Sequence, residues 1–86
     1  MKVQAAAISL QGVQFAVVLV PMDLVQKPGE ADMAIETMQP SFGGAPVVLM
    51  AQNEAGSPTY YGDRDIVKSL RDVPVEEMPW KEMSVG

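Results

Sequence analysis

Apolar residues follow two periods along this chain, and the two alternate. Val13-Gln14-Phe15-Ala16-Val17-Val18-Leu19-Val20 is β-branched and aromatic, and it is apolar on both faces past Phe15. That pattern predicts a strand covered on both sides. Before it, Lys2 to Leu10 lacks helix punctuation and runs into the turn signal Gln11-Gly12, so the two segments read as a hairpin. The first strand is rich in alanine, which also suits a helix over residues 2–9, and its weakness places it at an edge. Pro21 ends the second strand, and Met22 to Pro28 read as a connection. Ala31, Ala34, Ile35 and Met38 then recur at helical spacing behind Gly29 as N-cap, and the helix stops before Pro40. Phe42, in the loop Pro40–Gly44, is expected to fold back onto the core. Val47 to Ala51 is a third strand, apolar on both faces and therefore central. After a loop over Gln52–Pro58 come a short fourth strand, Thr59-Tyr60-Tyr61, and Gly62. Asp63 is a good N-cap for a second helix, whose buried stripe is Ile66, Val67, Leu70 and Val73 before Pro74.

These pieces predict an α+β fold, an α/β two-layer sandwich of order ββαββα. It is a four-stranded mixed sheet with two helices packed on one face and strand order 1-2-3-4. Residues 1–86 form one small α/β domain, and residues 75–86 form a C-terminal tail.

Composition narrows the chemistry. The chain has no Cys and no His, which removes disulfides, thiolate nucleophiles, Cys/His zinc sites and the Ser-His-Asp triad. A net charge of −5, spread along the chain, disfavours binding of nucleic acid or anionic membrane through a broad face. Nucleic-acid binding survives only if Lys68 and Arg71 join Lys2 on one face. The longest apolar run, Phe15 to Pro21, is too short to span a membrane, and Met1-Lys2-Val3-Gln4 does not read as a signal peptide. A soluble, cytoplasmic, acidic protein is the expectation.

Few residues carry a specific signal. Gly43-Gly44 precedes a strand rather than a helix, so it is no phosphate cradle. Asp63-Arg64-Asp65 reads as a cap and a first-turn acid, and Glu76-Glu77 as a solvated pair. No catalytic, cofactor-binding or metal-binding residue is assigned. The candidate interaction residues are Tyr60 and Tyr61, which point to opposite faces of the fourth strand, and Trp80, the single tryptophan. Trp80 also reads as a tack holding the tail to the body.

From Gly44-Ala45-Pro46 through Val47–Ala51, Tyr60-Tyr61-Gly62 and the last helix, the order resembles the C-terminal half of thioredoxin-like domains. The resemblance implies a central strand after Pro46, with a cis bond before that proline as one form. The paired cysteines are absent, so it implies no redox activity.

The expectation is therefore a non-enzymatic protein-interaction or regulatory module. Its partner is another protein or a second copy, held through an edge strand or a sheet face, and a homodimer is one form of it. The alternative is a small-ligand binder or a carboxylate- or metal-dependent hydrolase using Asp63 or Asp65.

Overall fold

The computed structural model describes residues 2–84. Strand β1 (Lys2–Leu10) turns at Gln11-Gly12 into β2 (Val13–Leu19), and the two pair antiparallel with Leu10 opposite Val13. Both turn residues have positive φ, 52° and 81°. This is the geometry whose twist matches a two-residue hairpin, and it explains the glycine at position 12. A four-residue helix α1 (Met22–Val25) and helix α2 (Pro28–Met38) cross over to β3 (Val47–Gln52), which lies parallel to β2. A hairpin adds β4 (Pro58–Tyr61) antiparallel to β3, and α3 (Arg64–Leu70) follows. A 3₁₀ turn at Val75–Glu77 leads into β5 (Trp80–Ser84). The sheet order is β4-β3-β2-β1-β5.

The α+β class and the mixed sheet are as expected, and four details differ. The helices lie on opposite faces, not on one. Ala5, Ala16, Val18, Leu49 and Ala51 pack with Val25, Ala31 and Met38 of α1 and α2. Ala6, Phe15, Val17, Val48 and Met50 pack with Ile66 and Leu70 of α3 and with Met78. The cause is visible in β2 and β3 themselves. Both are apolar on alternate positions of each face, so cover on one side leaves Val17, Val48 and Met50 in water.

The second difference is the fifth strand. Residues 80–84 of the expected tail pair antiparallel with β1, Trp80 opposite Ala6 and Lys2 opposite Ser84. Trp80 faces the α3 side and Met83 the α2 side, but the intervening Lys81 and Glu82 mask the strand pattern. Third, β1 is consequently interior, and the edges are β4 and β5. Fourth, Met22–Val25 is helical, and α2 begins at Pro28 with Lys27 as its cap residue, so Gly29 lies inside the helix. Proline at the first helical position costs no hydrogen bond, because that N–H has no partner in any helix. Phe42 closes a 3₁₀ turn (Gln39–Phe42) and packs half-buried against the α2-side core. The described peptide bonds, Ala45–Pro46 included, are trans.

Candidate functional site

The β4 edge is held in place from both ends. At its start, the loop from Asn53 to Ser57 is closed by the Asn53 side chain, whose Oδ1 accepts from the Ala55 and Ser57 N–H groups, each at 2.9 Å. This asparagine turn ends β3 and returns the chain as β4. At the other end stands Gly62. A Cβ there would lie 3.1 Å from Val48 Cγ2, 3.2 Å from Val48 Cα and 3.3 Å from Val47 O. The chain thus crosses tightly over β3, and any larger residue would need Val48 and the Val47 carbonyl to give by a few tenths of an ångström. Asp63 then caps α3, its Oδ1 accepting from Asp65 N–H at 2.9 Å and Ile66 N–H at 3.2 Å.

The two tyrosines of this edge have opposite surroundings. Tyr61 faces the α2 layer, and its hydroxyl donates to Asp32 Oδ1 at 2.9 Å. That bond to the carboxylate, reinforced by burial and by the charge of Asp32, raises the Tyr61 pKa above its ordinary value. Tyr60 faces the α3 layer, packed with Val67 and Val73. Its hydroxyl oxygen is shut off from solvent and has no hydrogen-bond partner among the described residues. Burial raises its pKa as well. An unpaired buried hydroxyl costs about 1–3 kcal/mol relative to a paired one.

Trp80 stands apart from the tyrosines. It opens β5, at the far edge of the sheet, and is half-buried in the α3-side core. Its Nε1–H donates to Val75 O at 2.9 Å. The structure thus joins Tyr60 and Tyr61 on one edge and uses Trp80 to fasten the other.

Sequence reasoning missed the flank of α3. Arg64, Lys68 and Arg71 stand at i, i+4 and i+7, so they share a ridge on the helix surface. With Tyr60, Tyr61, Gly62 and one acid, Asp65, they border a depression of about 470 Å³ beside β4. Among the described residues the ion pairs are Lys2–Glu82 and Lys27–Glu30, both at 3.6 Å, and neither uses these three cations. The spacing is readable in the sequence, but the sequence expectation joins Lys68 and Arg71 only with Lys2. That residue sits on β1 beside β5, across the sheet. On the other flank of α3, Ser69 faces the β1–β2 hairpin around Leu10 and Phe15, and Asp65 borders both that hairpin and the cationic depression.

The carboxylates of α3 do not converge. Asp63 is occupied with the cap, and no group of three or more Asp or Glu residues that could hold a metal occurs among the described residues. No helix of the described residues is long and apolar enough to cross a membrane.

Comparison with known protein families, with characterised proteins and with solved structures finds no match for this chain. The likeness to thioredoxin-like domains therefore rests on the order of elements from Gly44 onward and on nothing further.

Proposed function

We propose that this chain is a non-enzymatic interaction module that receives an extended segment of a partner protein on the β4 edge. The observation that supports this reading is the character of β4 itself. It is an outermost strand, Pro58-Thr59-Tyr60-Tyr61, with no charged residue of its own. An edge strand carries a row of unpaired backbone donors and acceptors, and natural sheets blunt such rows with charges or cover. Here the only such device in the strand is Pro58, at its first residue. Strand addition gives affinity through those backbone groups and specificity through side chains on alternate positions. Tyr60 and Tyr61 offer one such contact on each face. A hydrolase or metal-dependent reading gains no support from Asp63 and Asp65, which serve the helix start.

The test is a selection of displayed random peptides against the whole chain, followed by amide-shift mapping of the winners. Extended peptides that compete with one another and shift the amides of Thr59, Tyr60 and Tyr61 are the expected result. Winners that shift only β5, or only the outer surface of α2, would overturn the assignment of the edge.

A further inference from the structure

Resting on that reading of β4, we infer that the partner segment is acidic, with carboxylates at every second residue aimed at α3. The argument begins with where the positive charge lies. The chain carries six Lys and Arg residues against eleven Asp and Glu. Half of those six stand together, Arg64 and Lys68 on the seven-residue α3 and Arg71 as its C-cap. At 100° per residue they span an arc of only about 60° on its surface. All three are exposed, and none forms an ion pair among the described residues. The arc is directed along β4, since the three cations share one depression with Tyr60 and Tyr61; Asp65 also borders that depression, so the cations outnumber the acid there three to one, while Ser69 looks toward the hairpin. Toward the start of β4 a second depression, about 640 Å³, includes Asp72 and Glu76 beside Arg71. The cationic stretch therefore covers the Tyr60–Tyr61 end of the strand.

The other face of the same edge has the opposite sign. There Tyr61 is bonded to Asp32, and Glu36, one turn further along α2, is also exposed. A strand added beside β4 projects alternate side chains to the two faces. Acids suit the α3 face and are repelled on the α2 face. The pattern that fits is acid at one parity and neutral at the other, rather than a uniform acidic run.

The same geometry opposes a second copy of the chain as the occupant. Two β4 strands paired antiparallel are related by a two-fold axis normal to the sheet, which keeps both α3 helices on the same face. The two cationic ridges would then face each other across the junction. An acidic partner removes that repulsion. A nucleic acid would meet the ridge but also a chain whose net charge, ridge included, is −5.

The experiment uses the full chain and two capped peptides of about eight residues, one alternating valine with glutamate and one alternating valine with glutamine. Affinity is read by amide-shift titration at low and at physiological salt. The glutamate peptide is expected to shift Thr59, Tyr60 and Tyr61 together with Arg64, Lys68 and Arg71. It should bind about tenfold more tightly than the glutamine peptide, and the margin should shrink as salt is added. Combining Arg64→Glu, Lys68→Glu and Arg71→Glu should erase the preference. The corresponding triple change to glutamine, milder for the fold, should erase most of it. Equal affinity for both peptides at β4 would overturn the acidic partner and leave strand addition standing. Shifts confined to α3, matched by a uniform polyglutamate, would overturn strand addition instead. A single-stranded oligonucleotide that binds the ridge more tightly than the glutamate peptide would overturn the peptide assignment. Failure of both peptides to bind would overturn it too, and the display selection would then decide separately whether β4 accepts any strand.

Discussion

The two edges of the sheet are strands of four and five residues, yet they are finished in different ways. β5 carries Lys81 and Glu82 within the strand, and Glu82 lies 3.6 Å from Lys2 on its neighbour. That pair is largely exposed and contributes little stability, but charges in an edge strand discourage another strand from joining it. β4 has no charge in the strand, and its charges stand one layer away, on α3. Charge inside an edge discourages another strand, whereas under the proposed function charge beside an edge would leave it open and sort partners by sign. The tryptophan and the tyrosines divide in the same way. Trp80 has its N–H satisfied and fastens β5, while Tyr60 keeps an unpaired hydroxyl beside the open edge.

The largest effect expected from probing this contrast is on the closed edge. Trp80→Ala removes a half-buried indole and its bond to Val75, and should cost about 2–4 kcal/mol in denaturant unfolding. It should also release the amides of β1 to hydrogen exchange. A variant in which β1 stays protected would show that β5 is held by its backbone ladder alone.

Next comes the glycine that seats the open edge. Gly62→Ala places a methyl against Val48 and Val47 O and should cost about 1–3 kcal/mol, read from the same unfolding curves. If stability is unchanged, the crossing over β3 is looser than the 3.1 Å approach implies. Asp63→Ala removes the cap of α3 and should cost about 1 kcal/mol. It should also fray the turn that carries Arg64, seen as faster exchange at Asp65 and Ile66.

The smallest effects separate the two tyrosines. Tyr60→Phe deletes a hydroxyl that has no partner and should leave stability unchanged or raise it by up to about 1 kcal/mol. Tyr61→Phe deletes a bond to Asp32 and should lower Tm. Both phenols hold their protons more tightly in the folded chain than in the unfolded one. Their contribution is therefore complete below pH of about 10 and is lost as pH climbs through the raised values. A Tm profile from neutral to strongly alkaline pH should fall less steeply for Tyr61→Phe than for the parent. An identical alkaline limb in the two proteins would argue that Tyr61 titrates normally.

Much of this was legible in the sequence, and the reasons it stopped are physical. Asp63 announced its helix because a cap and a stripe at Ile66, Val67 and Leu70 agree with each other. β2 and β3 announced themselves by β-branched residues on both faces. The same two-sided pattern also required helices on both faces, and a one-sided arrangement fails to cover Val17, Val48 and Met50. β5 was hidden because edge strands carry charge where interior strands carry valine, so Lys81 and Glu82 made it resemble a solvated tail. The cationic flank of α3 was written in the spacing of Arg64, Lys68 and Arg71. Its meaning depended on which way the helix faces, and that is fixed only once α3 is laid beside β4.

The pairing of β1 with β5 also sets the order in which the molecule can assemble. The β1–β2 and β3–β4 hairpins close over short turns, and loops that short form early. The ladder that sets Lys2 opposite Ser84 joins the two strands most distant along the chain, so its closure entropy is the greatest in the sheet. β5 is therefore expected to dock late, onto a four-stranded sheet whose alanine-rich β1 is still bare. A chain whose β5 has not docked would present β1 and β4 as its sheet edges, whereas the folded sheet ends on the charged β5 and on β4.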